Sequence, residues 1–350
     1  MQINVKETEK ITSMPPSMLV SATYDNTTRT AVLKFYEPIS QKLILWYDET
    51  GHKPYCYSRL SPDELDFLQE RDDILEIKTV KRHDLMKDEE VNMSKITVAD
   101  PLTIGGTTGD KSIRNIIETW ESDIKYYENY LYDRSLIVGK YYEIIDGKIK
   151  PHDLEISGEV KLALKSLLWD KVDSENMVDP KEFKELISDW ADLLNQPIPR
   201  IKRLSVDIEV EAEIGRIPDP KIAEKKVTAI GLKGTDGFDQ IFVLRTEGTD
   251  EGINELDQNI KIVFYDQSKE KEMILDAFKV IEEFPFVLTY NGDEFDLPYL
   301  FNRAERLGIK NENNPLYMMK DSATLKHGVH LDLYRTLSNR SFQIYAFSQK

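Results

Sequence analysis

Arg203-Leu204-Ser205-Val206-Asp207-Ile208-Glu209-Val210 alternates polar and apolar side chains without a break, the period of a β-strand with one buried face. Leu204, Val206, Ile208 and Val210 share that face. Asp207 and Glu209 share the other, about 7 Å apart at their Cα atoms. Two carboxylates so placed repel each other unless a cation lies between them. Mg2+ or Mn2+, which prefer hard oxygen ligands, meet that need. The pattern alone carries little weight, because 63 acidic residues in 350 produce acid-x-acid roughly eleven times by chance. A half-exposed strand also carries acids on its wet side with no further purpose.

Working outward, the next informative stretch is Phe286-Val287-Leu288-Thr289-Tyr290, which runs into Asn291-Gly292-Asp293-Glu294-Phe295-Asp296. Asn-Gly predicts a tight turn, and Asp296 stands where a helix N-cap belongs. Taken singly, Asp296 is well explained as that cap. A carboxylate between strand and helix, at the C-terminal edge of a sheet, is equally well placed to hold a metal. Around these segments the patterning predicts strands over 203–212, 226–233, 240–245, 286–290 and 328–333. It predicts helices over 269–284 and 297–307, the second closed by Gly308. Such an order gives an α/β layered domain.

The amino-terminal part is expected to be β-rich. Strands are predicted over 18–25, 30–36, 42–48, 77–81 and 95–99, with helices over 60–71 and 113–132. Small strands over 141–145 and 148–151 and helices over 159–169 and 180–194 follow. Pro197-Ile198-Pro199 then marks a break. The expected organisation is an amino-terminal domain over 1–135, a connecting segment over 136–197 and a second domain over 198–350.

Composition narrows the function. A 40% hydrophobic and 31% charged chain suits a globular protein. One cysteine, Cys56, excludes an internal disulfide and a cysteine-based zinc site. The opening MQINVKETEK lacks the basic and apolar regions of a signal peptide, and no apolar run has bilayer length. The expectation is a cytoplasmic, nucleoid-associated protein with no membrane partner. A net charge of −17 argues against a free-standing duplex-binding module. The basic groups Lys81/Arg82/Lys87, Arg200/Lys202/Arg203 and Lys225/Lys226 are expected to be ordinary solvated surface. His327 and His330 point to opposite faces of a strand and are not expected to form a metal pair.

The conjunction of motifs is more specific than either alone. A DxE in the opening strand, with NGxxFD about eighty residues later, resembles the first two exonuclease motifs of the family B DNA polymerases. Tyr290-Asn291-Gly292-Asp293 with Phe295-Asp296 is close to the archaeal form of the second motif. His330-Leu331-Asp332-Leu333-Tyr334 is similar to the strand that follows in those enzymes. Tyr47-Asp48, Pro54-Tyr55, and Asp133 with Leu136-Ile137 extend the likeness into the amino-terminal half.

The resemblance implies an α/β (α+β) chain: a β-rich amino-terminal domain, then an RNase H-like exonuclease domain with a mixed sheet. It implies removal of 3′-terminal nucleotides by two-metal hydrolysis, with Mg2+ or Mn2+ as cofactor. Asp207, Glu209 and Asp296 match three of the family's four metal-binding carboxylates. Asn291 and Phe295 match residues that contact the terminal nucleotides of a single strand. Tyr24, Pro54, Tyr126 and Asn129 fall near the pocket by which archaeal members sense template uracil, although Asn129 stands where a basic residue is expected. The implied partners are DNA (a single-stranded 3′ end and the template), the remainder of the polymerase, and a sliding clamp contacted through that remainder.

The third exonuclease motif, a Tyr three residues before the fourth carboxylate, does not occur. Tyr345 has no Asp at that spacing, and Asp332 belongs to a different strand. The fourth ligand is therefore expected beyond Lys350, with the polymerase motifs, and the chain alone is expected to be weakly active or inactive. Two other readings stay open: a stand-alone exonuclease using four acidic ligands, and a non-catalytic subunit that binds single-stranded DNA or serves as a scaffold.

Overall fold

The computed structural model describes residues 11–84, 86–106, 111–152, 158–169, 198–246, 259–319 and 322–338. They divide into two compact units, one drawn from Ser13–Phe35 and Ile44–Leu194, the other from Met1–Thr12, Tyr36–Leu43 and Asn195–Lys350. The helix expected over 180–194 lies outside the described residues.

The amino-terminal β-structure comprises β1 (Met14–Asp25), β2 (Thr30–Glu37), β3 (Lys42–Tyr47), β4 (Tyr55–Ser58), β5 (Ile74–Asp84), β6 (Glu89–Val98), β7 (Tyr141–Ile145) and β8 (Lys148–Pro151). They form two sheets, ordered β3-β2-β1-β7-β8 and β4-β6-β5. The stretch 141–151, read as part of the connecting segment, is thus paired to β1 as an antiparallel extension.

Two expected helices are broken. Residues 60–71 give only a 3-10 turn, Asp63–Leu65, and one short helix, Asp66–Gln69. The spacing of Ile116, Trp120, Ile124 and Tyr127 predicts one helix over 113–132, yet Ile113–Ile116 and Tyr126–Asp133 are separate. Trp120 exchanges both backbone hydrogen bonds with Tyr57, at 3.0 and 2.9 Å, and Arg59 lies over its ring. Glu121 then takes a left-handed φ of 60°. Pairing to a strand uses the amide and carbonyl that a continuous helix needs, so tertiary contact overrides the local period.

The second unit is built on β9 (Arg203–Val210), β10 (Val227–Gly234), β11 (Asp239–Leu244), β12 (Lys261–Tyr265), β13 (Phe286–Thr289), β14 (Leu316–Met319), β15 (Ser322–Leu325) and β16 (Val329–Asp332). Its six-stranded sheet runs β12-β11-β10-β9-β13-β16. β10 is antiparallel to β9 and β11, whereas β13 is parallel to both β9 and β16, and β12 is parallel to β11. The mixed sheet is the one expected; β12 and the β14–β15 hairpin are additions that the patterning does not predict.

The alternation in β9 holds residue by residue: Leu204, Val206 and Ile208 are buried while Arg203, Ser205, Asp207 and Glu209 are exposed. The buried side chains share one core with Met273, Ile274, Phe278 and Ile281 of the helix Glu270–Glu282. Leu297 and Leu300 of the helix Asp296–Arg306 join the same core. Each such burial contributes about 1.5–3 kcal/mol of transfer free energy, which fixes both helices against the strand that bears the acids. No helix among the described residues is long and apolar enough to cross a membrane.

Candidate active site

β9, β13 and β16 run parallel, so their C-terminal ends form one edge of the sheet. At that edge lie Asp207, the 291–296 corner and Asp332.

Asp296 is the first residue of its helix, not the N-cap. Phe295 occupies the cap position and makes no side-chain cap bond. The Asp296 carboxyl turns instead toward β9, where Oδ1 accepts a 3.1 Å hydrogen bond from the Ile208 amide. The cap explanation is therefore replaced by a tie between two elements far apart in sequence. Asp296 is only 4% exposed. Burial first, then the charge of Asp207, pushes its carboxyl up to about 7; the Ile208 amide works against that rise and Asp332 adds to it. Asp207 keeps contact with solvent, yet the protein around its carboxyl raises its pKa as well. The structure thus brings Asp207 and Asp296 within electrostatic reach of each other.

Glu209 lies two residues further along the same exposed face. Among the described residues no group of three His, Cys, Asp or Glu side chains stands close enough to hold a metal ion. Glu209 therefore does not complete a three-ligand cluster with the other two. The donor chemistry does fit a hard divalent cation: two carboxyls, one of which feels the other's charge, each driven toward its protonated form and each offering oxygen donors.

Asn291 takes a left-handed φ of 62°. A Cβ at Gly292 would sit 2.3 Å from Thr289 Oγ1, so the corner requires glycine there. Asn291 and Phe295 are both half-buried. The Phe295 ring packs against Tyr299 at 5.5 Å and against the core, which leaves one part of it outward. His330 is engaged within the fold, its Nδ1 3.2 Å from Asp293 and its Nε2 2.8 Å from Thr289 Oγ1.

One supporting group has no counterpart in the sequence reading. Glu270 and Arg303 are buried and form a two-bond ion pair, Nε–Oε1 2.8 Å and Nη2–Oε2 2.7 Å. Glu270 also accepts the Val227 amide, and Arg303 donates to the carbonyls of Ala223 and Glu224. Both helices are thereby tied to the loop between β9 and β10. Glu270 sits in the first turn of its helix, where an acid is ordinary; nothing local distinguishes it.

In the amino-terminal unit, Tyr24 packs edge-on against Tyr126 at 5.1 Å. Pro54, Tyr126 and Asn129 are buried, and Tyr126 donates to the His52 carbonyl. Packing accounts for most of this group. The Tyr24 hydroxyl is the exception: it is enclosed, has no hydrogen-bond partner among the described residues, and burial pushes it up to about 12. Several of the basic residues are paired, Lys81 with Glu90, Lys87 with Glu89, Lys202 with Asp236 and Lys225 with Glu213.

Fold and edge together define a mixed α/β domain, with acids placed where a central strand meets its parallel neighbour. The family described as DNA polymerase family B, exonuclease domain, matches residues 117–347, and the chain belongs to it. It is 33% identical over 337 residues to DNA polymerase 1 of Sulfolobus acidocaldarius, covering 95% of this chain and 36% of that protein. It is 35% identical over 338 residues to DNA polymerase 1 of Saccharolobus solfataricus, again covering 95% of this chain and 36% of the relative. The chain therefore spans about a third of the length of these relatives. A solved family B DNA polymerase from the hyperthermophilic archaeon Pyrobaculum calidifontis has the same fold, with a TM-score of 0.57 at 16% identity. That match covers 93% of this chain and 37% of the other.

Proposed function

We propose that the chain carries three acids of the proofreading site of a DNA polymerase, a site that hydrolyses the terminal phosphodiester at the 3′ end of single-stranded DNA and that is weak or inactive in this chain alone. The observation that carries this is the meeting of Asp207, on β9, with the buried Asp296, at the start of the helix that follows the parallel neighbour β13, with no ion pair to either acid among the described residues. Asp207 and Asp296, with Glu209 beside them, are the residues that would hold Mg2+ or Mn2+. A divalent cation bound there supplies water activation and neutralises charge on the phosphate and the leaving oxygen.

The chain's own contributions are positional. The Ile208 amide orients the Asp296 carboxyl. The left-handed backbone at Asn291 presents that side chain beside the same edge. The outward part of Phe295, backed by Tyr299, offers an aromatic face for an unpaired terminal base. DNA and the rest of the polymerase are the partners this reading requires, a sliding clamp would be met through that remainder, and its setting is the cytoplasm at the nucleoid.

The test is Mn2+-dependent digestion of a 3′-labelled single-stranded oligonucleotide by this chain and by the longest product of its gene. Each is compared with its Asp207→Ala variant. Loss of digestion in the variant, by at least about a hundredfold, supports the proposal. Equal digestion by wild type and variant, or none by either protein, leaves these acids without a catalytic role.

A further inference from the structure

Asp332 ends β16 and is only 5% exposed. Its carboxylate is filled by backbone amides. Oδ1 accepts Asn291 N at 2.9 Å and Tyr334 N at 2.8 Å, with Arg335 N further off at 3.4 Å. Oδ2 accepts Asp293 N at 3.0 Å. The two amides from the corner flank Gly292, whose own position is dictated by contact with Thr289. The two amides that follow Asp332 belong to the first turn of the helix Leu333–Ser338, whose amides have no partner within the helix. One carboxylate thus fastens a turn on one strand to the start of a helix on the next.

Neighbouring side chains reinforce that fastening. Asp293 lies 3.2 Å from His330 Nδ1 and 3.0 Å from Arg335 Nη1, so β16 and its helix grip the corner at its side chain as well. Thr289 Oγ1 meets the other ring nitrogen of His330. An acid whose lone pairs already receive these amides has little capacity left for a metal, although it stands near enough to act on Asp296.

We propose that Asp332 is a positioning residue of the exonuclease site: by holding the amides of Asn291 and Asp293 it sets where Asn291, Phe295 and Asp296 face the 3′-terminal nucleotide. The inference rests on the exonuclease reading and adds a determinant outside the acids that would bind metal. Without the Asp332 carboxylate, two corner amides lose their acceptor. The left-handed turn at Asn291 then keeps only the contacts of Asp293 with His330 and Arg335 and the tie from Asp296 to β9, which hold side chains and not the two amides, so the corner gains freedom to shift. A displacement of about 1 Å at a reacting group costs on the order of a hundredfold in rate.

The experiment compares wild type, Asp332→Ala, Asp332→Asn and Asp207→Ala, all in the whole chain. Amide hydrogen exchange is followed over 289–296. Binding of a single-stranded DNA oligonucleotide with 2-aminopurine at its 3′ end is measured with and without Ca2+, and urea midpoints report global folding. The expected result is at least about tenfold faster exchange over the corner and at least about tenfold weaker Ca2+-dependent binding in Asp332→Ala. Asp332→Asn, which keeps one acceptor oxygen, should recover part of both. Asp207→Ala should weaken binding without changing exchange at the corner.

If Asp332→Ala exchanges faster but binds the oligonucleotide as wild type does, or if exchange is unchanged, the positioning role is wrong. The comparison then rests on Asp332→Asn alone should the alanine variant fail to fold. If wild type shows no Ca2+-dependent binding and Asp207→Ala matches it, the exonuclease reading fails and the role of Asp332 falls with it.

Discussion

Glu270 and Asp296 open the two helices that pack on the sheet of the second unit, and each is 4% exposed. Their surroundings are opposite. Glu270 receives a two-bond guanidinium from Arg303 and the Val227 amide. Asp296 receives the Ile208 amide, and the side-chain charges that reach it are those of Asp207 and Asp332. Equal burial therefore has two meanings. At Glu270 the fold supplies the countercharge and the acid is part of the frame. At Asp296 no side chain among the described residues forms an ion pair with the acid, which is the setting the proposed cation would relieve.

The widest separation between these two acids should come from Arg303→Ala, which strands Glu270. A buried charge left alone costs about 3–5 kcal/mol. Urea denaturation should show the loss, and a cost below about 1 kcal/mol would mean that the pair is not dry. Next comes Asp296→Asn, with the opposite sign. The folded-state value near 7 lies above the ordinary carboxylate value of about 3.9, so the native chain holds the proton more tightly than the unfolded chain. Without metal, this group's contribution to stability is then greatest below about pH 4, declines as pH rises to about 7, and levels off above that. The variant should remove this decline and be more stable than wild type at about pH 8. Parallel pH profiles of the two proteins would place Asp296 in a far less hostile setting than burial and Asp207 impose. The smallest effect is expected of Gly292→Ala, about 1–3 kcal/mol, because the new methyl meets the Thr289 side chain close to its Cβ. A neutral result in thermal unfolding would show that the corner relaxes.

The two acids also differ in how legible they are. β9 was open to reading because alternation is a local property, and burial follows it at each position. The 291–296 corner was legible through Asn291 and Gly292, whose backbone demands belong to the residues themselves. The role of Asp296 was only half legible: its place before a helix suggests a cap, and only the arrival of β9 shows where the carboxyl goes. Glu270 with Arg303 was not legible, since partners 33 residues apart and donors from a loop leave no periodic mark. The same cause broke the helix expected over 113–132, where Trp120 answers to Tyr57 and not to its own turn.

The parallel pairing of β9 with β13 joins residues near 204 to residues near 287, and the tie that orients Asp296 spans 88 positions. Contacts of such range form late, after the intervening chain has been made and closed into a loop. A polypeptide emerging from the ribosome would hold Asp207 for many seconds before Asp296 exists, and would then need β16 to set the corner. The edge is thus assembled only once β13 and β16 have followed β9 out, the last strands of the six-stranded sheet among the described residues.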